Sequence, residues 1–163
     1  MLTNEDIRNL IASFKQINDP FLQKIWLPDN GEKSSLKLQS NLTTFTVDLN
    51  RAGRKAPKCT FQLREDLHRD TKLIRLDLCG PAHENPNGDF EYANQIIACP
   101  HIHIADEKYG DSIAYPLNEN YAKMYLTSEE LEDIAVVFRK FLERIHVVKL
   151  DKFEIYVNTT ILY

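Results

Sequence analysis

Three stretches of this chain, TTFTVDLN, CTFQLRE and KLIRLDLC, alternate apolar and polar residues with a period of two. That period belongs to a β-strand with one buried and one wet face, because successive side chains point to opposite sides of a sheet. Phe45, Val47 and Leu49, then Phe61 and Leu63, then Ile74, Leu76 and Leu78 form the apolar side. The opposite side carries ions, Arg75 and Asp77 among them. CPHIHIADE repeats the pattern, with Ile102 and Ile104 facing one way and His101 and His103 the other. A hairpin is expected to join it to SIAYPL through a turn around Tyr109-Gly110-Asp111. A second hairpin is expected where FLQKIWL and SSLKLQS flank Pro28-Asp29-Asn30-Gly31, and KFEIYVN reads as a last strand over 152–158 that could add an edge to the sheet.

Helical signals lie at the two ends. Thr3 is an N-cap, and Ile7, Leu10, Ile11, Phe14 and Ile17 recur at helical spacing until Asp19-Pro20, which predicts a helix over 4–18. Thr127 and Glu130 form a capping box with a Leu126–Leu131 staple. Beyond it, Leu131, Ile134, Ala135, Phe138, Phe141, Leu142 and Ile145 trace a stripe of period 3.6, which predicts a helix over 128–146. Strands followed by a C-terminal helix, without βαβ alternation, define an α+β class. The expected architecture is one domain over 1–163, with a mainly antiparallel sheet of six to eight strands in the 21–117 region, packed on one face by an N-terminal and a C-terminal helix. The stripe of the second helix takes the apolar sides of the strands. Arg75, Asp77, His101 and His103 should then project to the open face or the rim.

No stretch approaches the ~20 apolar residues that span a bilayer. The N-terminus lacks a basic segment followed by an apolar run, so a cytoplasmic location without membrane attachment is the expectation. Cys59, Cys79 and Cys99 are three in number with no CxxC pair, and are expected to be free thiols packed as small hydrophobes. The net charge of −4 hides a split: Arg51, Arg54, Lys55, Lys58, Arg64, Arg69, Lys72 and Arg75 face only Glu65, Asp66 and Asp70 within their segment, which is +5 while the remainder is −9. RNA or another anionic ligand would be drawn to the 51–75 strip, with Arg51, Arg54, Lys55, Lys58 and Arg64 as the nucleic-acid-binding candidates.

His101 and His103 lie on one face of a strand with Cβ atoms about 7 Å apart, close enough to share a metal or bracket a phosphate. The segment 80–98 is rich in Gly, Pro and Asn, and a connection of that length in a compact domain is usually functional or disordered. If it folds over the sheet, it brings His83 to the same strand. Cleavage of RNA through its 2′-hydroxyl needs one group to take a proton, one to give a proton and a cation to neutralise the phosphorane. The catalytic candidates are therefore His83, His101 and His103 for the proton transfers, Arg75 for the charge with Arg51 or Lys108, and Tyr109 or Tyr115 as hydrogen-bond donor. This chemistry is metal-free, and no cofactor is expected. Two other readings stand beside it: a non-catalytic module that inhibits or neutralises a protein partner through its acidic surface and an uncovered strand edge, and a zinc protein built on the histidines and Cys99.

The runs LDLCGPAHENPNG and CPHIHIADEKYGDSIAYPL resemble a small uncharacterised bacterial family of unknown function with the pattern L-D-x-x-G-P-x-H-x-N-P-x-G, then C-P-H-x-H, Y-G-D and A-x-P-L. The resemblance covers Val47 to Leu117. It implies no established activity, only a setting among mobile-element, defence or toxin–antitoxin genes. Ala105 and the tail KFEIYVNTTILY depart from the family pattern.

Overall fold

The protein is represented by a computed structural model, which describes residues 1–52, 59–118 and 120–158. In chain order the elements are α1 (Asn4–Ala12), β1 (Gln16–Ile17), β2 (Lys24–Trp26), β3 (Lys33–Gln39), β4 (Thr44–Asn50), β5 (Thr60–Glu65) and β6 (Lys72–Asp77). There follow β7 (His83–Glu84), β8 (Ile96–Ile97), β9 (His101–Ile104), β10 (Ala114–Pro116), α2 (Ser128–Leu131), α3 (Ile134–Arg144) and β11 (Glu154–Tyr156). Seven strands form one antiparallel sheet in the order β1-β3-β4-β5-β6-β9-β10. The class is α+β, with helices at both ends of the chain packed on the sheet's apolar side. Phe45, Phe61, Leu63, Ile74, Leu76 and Ile102 are fully buried there, and the Phe61 ring meets Phe138 and Phe141 of α3 at 4.9 and 5.9 Å between centroids. Among the described residues no helix is long and apolar enough to cross a membrane.

Several boundaries differ from the sequence expectation, each for a physical reason. The first helix stops at Ala12 rather than 18. Its Thr3–Asp6 capping box forms as a helix start should, but Gln16 and Ile17 leave the helix to pair with Gln39 and Leu38. Ile17 is buried as a strand residue, so its apolar spacing fits either period, while Phe14 stays exposed. The agent at the stop is Lys15. Its fully buried ammonium donates to the carbonyls of Ile11 at 2.9 Å, Ser13 at 2.8 Å and Ile145 at 2.9 Å, and lies 4.7 Å from the centre of the Phe45 ring. One cation thus satisfies carbonyls at the C-terminal ends of α1 and α3 together, where the helix dipole favours positive charge. Burial, with Arg144 nearby, pushes Lys15 down to about 7.

The helix expected over 128–146 is two. The Thr127–Glu130 box caps α2 as expected, and then Asp133 accepts from the backbone of Ala135 and Val136 and starts α3 afresh. The Pro28–Gly31 segment does not close a hairpin between its flanking strands. β2 pairs instead in parallel with β11, Lys24 opposite Glu154 and Trp26 opposite Tyr156. The last strand is therefore shorter than 152–158 and belongs to a separate two-stranded ribbon, not to the edge of the main sheet. Arg51 holds the 28–31 turn, its Nη1 donating to the Pro28 carbonyl at 2.9 Å and its Nη2 to Asn30 Oδ1 at 2.8 Å.

Lys15→Met keeps the aliphatic volume and deprives three buried carbonyls of their donor. It should lower stability by about 2–4 kcal/mol in urea denaturation. A midpoint equal to that of the unaltered chain would show that Lys15 does not hold the two helix ends.

Candidate functional site

The open face of the sheet is assembled by register. Across β4, β5, β6 and β9, Asp48 lies opposite Gln62, Gln62 opposite Arg75, Thr60 opposite Asp77, Arg75 opposite His103 and Asp77 opposite His101. These residues floor a cleft of about 1070 Å³, which Lys33, Arg69, Lys72 and the 79–83 loop also line. The long connection after β6 is ordered. β7 and β8 pair within it, setting His83 opposite Ile97, and Asn85 clamps it to β10. Its buried side chain donates to the carbonyls of Tyr92 at 3.1 Å and Ala114 at 2.9 Å and accepts from the Ala114 amide at 2.8 Å.

The clamp delivers His83 to the strand of the other two histidines. Ring centroids are 4.7 Å apart for His83 and His103, 6.1 Å for His83 and His101, and 5.0 Å for His101 and His103. The three imidazoles do meet at one place. They are not equally wet: His101 and His103 are each 2% exposed, whereas His83 is half-buried. His101 and His103, expected to project to the open face or the rim, line the cleft while keeping little exposure of their own.

At the centre is Asp77, which the alternation places on the open face with Arg75, His101 and His103. Its Oδ2 accepts from Arg75 Nη2 at 3.1 Å and Nε at 3.2 Å, while Oδ1 accepts from the Thr60 hydroxyl at 3.1 Å. The same Oδ2 lies 3.4 Å from His101 Nε2 and 3.5 Å from His103 Nε2. Burial works to raise the Asp77 carboxyl, but the two imidazoles, which donate to it from Nε2 when protonated, and the guanidinium hold it far below the ordinary carboxylate range. The signal for it was the period of two itself, which puts Asp77 on the same face as His101.

The tautomers follow from the outer nitrogens. His101 Nδ1 meets the Ile97 carbonyl at 3.1 Å, and His103 Nδ1 meets the Asp111 carbonyl at 2.9 Å. A carbonyl only accepts, so Nδ1 carries the hydrogen and, in the neutral ring, Nε2 carries the lone pair. Among the described residues, His103 Nε2 is buried with no hydrogen-bond partner. His83 has the opposite arrangement, its Nε2 donating to the Ser112 carbonyl at 2.6 Å, which leaves Nδ1 as its basic nitrogen. Cys99 Sγ lies 3.6 Å from His101 Nδ1, on the side away from Asp77. Burial, with Asp77 adding to it, pushes that thiol up to about 11, so it stays protonated and unreactive.

The remaining candidates divide. Arg75 and Arg64 line the cleft, each held by a carboxylate, Arg64 Nη2 donating to Asp48 Oδ1 at 2.9 Å. Arg51 is turned to the 28–31 turn and does not line it. Tyr109 does not reach the histidines: its ring packs on Phe90 at 5.3 Å, with its hydroxyl against Gly88, where a Cβ would lie 2.3 Å from the oxygen. Arg54, Lys55 and Lys58 lie outside the described residues. Cys59, Cys79 and Cys99 form no disulfide with one another.

A family model matches residues 2–147, well beyond the stretch that carried the resemblance, and the chain belongs to that family, described as a family of unknown function (DUF6978). No curated protein and no solved structure matches the chain.

Burial holds the His103 imidazole below its ordinary 6.5 against the opposing pull of Asp77. His146 is lowered from the same 6.5 by burial and by Lys15. The unfolded chain takes up protons near 6.5 that the folded chain resists. Stability should therefore be full above that pH and fall as pH drops through it. The urea midpoint is expected to be lower at about pH 5.5 than at about pH 7.5; equal midpoints would contradict the assignment of neutral, buried imidazoles.

Proposed function

We propose that the chain is a histidine-centred enzyme that cleaves the phosphodiester backbone of RNA. The observation that carries the reading is the convergence of His83 on the His101/His103 strand, in a cleft of about 1070 Å³ that Arg75 and Arg64 also line. In the reaction, His83 Nδ1 takes the proton of the 2′-hydroxyl, O2′ bonds to phosphorus and the bond to the 5′-oxygen breaks. The departing oxygen receives its proton from Nε2 of His101 or His103 in its imidazolium form, beside the Asp77 carboxylate, leaving a 2′,3′-cyclic phosphate and a 5′-hydroxyl; exchange with solvent then restores both histidines. The guanidinium of Arg75 neutralises the phosphorane. Lys33, Arg69 and Lys72 guide the neighbouring phosphates, so binding should weaken steeply with salt.

One observation favours a second reading, a protein-interaction module. Trp26 is 54% exposed and stacks on Tyr156 at 4.9 Å. A patch of that kind on the β2–β11 ribbon suits a protein partner.

The two separate in one assay. Purified chain incubated with a panel of single-stranded and structured RNAs should produce cyclic-phosphate ends, and His83→Ala should slow cleavage by about 100-fold or more, the usual contribution of a general base. No cleavage of any RNA, or cleavage undiminished in His83→Ala, would sink the enzymatic reading.

A further inference from the structure

The open face holds a group of side chains whose spacing does not match hydrogen bonding. His101 Nε2 and His103 Nε2 stand 3.4 and 3.5 Å from one carboxylate oxygen, Asp77 Oδ2. An N–H···O bond runs about 2.7–3.2 Å. Ligands placed 2.0–2.1 Å from a tetrahedral ion lie about 3.3–3.4 Å from one another. The two gaps thus have the length of the edges of a coordination polyhedron, and the three donor atoms lie within 4.8 Å of one another.

Three further features point the same way. Both outer nitrogens donate to backbone carbonyls, of Ile97 and Asp111, the arrangement that fixes a metal-binding imidazole with its Nε2 lone pair inward. The Thr60 hydroxyl and the Arg75 guanidinium fix the carboxylate in the same way. Among the described residues, His103 Nε2 is buried and unpartnered, although a lone pair in that position costs free energy unless something accepts it.

We infer that His101 Nε2, His103 Nε2 and Asp77 Oδ2 bind a divalent first-row transition ion such as Zn²⁺, Mn²⁺ or Co²⁺. Two imidazoles and one carboxylate suit such an ion better than Mg²⁺ or Ca²⁺, which prefer all-oxygen shells. With Asp77 balanced by Arg75, the ion adds an uncompensated double positive charge to the floor of the cleft. That demands an anionic ligand, and a phosphodiester fits. The ion's use in RNA cleavage rests on the function proposed above, while the ion site stands on its own geometry. In that use an ion held by His101, His103 and Asp77 would supply an acidified water as the proton source for the departing 5′-oxygen, and the protonated His83 would restore that proton. The metal-free expectation is the alternative outcome of the test.

The full chain, stripped with chelator and dialysed, is titrated with Zn²⁺ by calorimetry and with Co²⁺ by visible absorption. One equivalent of ion per chain should bind, with cobalt d–d bands of a low-coordinate nitrogen and oxygen site and a raised melting temperature. Asp77→Asn and His103→Gln should each weaken binding by about 100-fold, and circular dichroism identifies any variant that has lost its fold. Absence of stoichiometric binding to the native chain overturns the site whatever the variants do, and so does binding that both folded variants retain. RNA cleavage undiminished in excess chelator rejects the metal and leaves the RNase reading intact. Stoichiometric ion with no RNA cleavage does the reverse.

Discussion

The pleat of β6 against β9 is the constraint on which the molecule depends. Leu76 faces Ile102 on one side of this ladder, both fully buried against the helices, and the next pair along, Asp77 and His101, faces the other. A slip of one residue would exchange the two sides, driving a carboxylate and imidazoles into the Phe61–Phe138 layer and leucines into water. The apolar face therefore sets the register. The polar face inherits its geometry from it. The two strands are not neighbours in sequence: the chain leaves the sheet after β6, makes the β7–β8 excursion and returns as β9. That excursion carries His83, so the same detour that separates the strands in sequence supplies the third ring.

How much of this was legible depended on the range of the interaction concerned. Period-two alternation located β4, β5, β6 and β9, and short-range capping chemistry located Thr3 and Thr127, because both are decided within a few residues. The meeting of His83 with His101 and His103 was inferable because a Gly/Pro/Asn-rich loop beside a His-x-His strand has few places to go. What failed to show needed long-range partners. Lys15 falls inside the helix expected over 4–18, and its carbonyl acceptors include one 130 positions away. Ile17 fitted both periods, and only pairing with Leu38 decided between them. The Asn-Gly of the 28–31 turn is a genuine turn signal, yet β2 found its partner at the far end of the chain. Tyr109 stood near the histidines in sequence but points from the β9–β10 turn to Gly88 in the β7–β8 excursion.

The basic strip also changes meaning when folded. A formal excess of cations suggested an open electrostatic track. In the fold, Arg64 is tied to Asp48, Arg75 to Asp77 and Lys72 to Asp111 at 3.3 Å. An anion entering the cleft must compete with these carboxylates or share their cations. That favours ligands with several phosphates over single small anions, since each contact is shared and only their sum outweighs the competition.

The carbonyl acceptors of His101 and His103 come from two different segments, Ile97 of the excursion and Asp111 of the β9–β10 turn. Each imidazole thus reads the position of a separate loop. Movement of either segment away from the sheet would release its ring to the other tautomer and turn the nitrogen facing Asp77 from acceptor into donor. Nitrogen-15 shifts of the two rings would then report loop displacement directly, and the loops and the rings would respond to an occupant of the cleft as one unit.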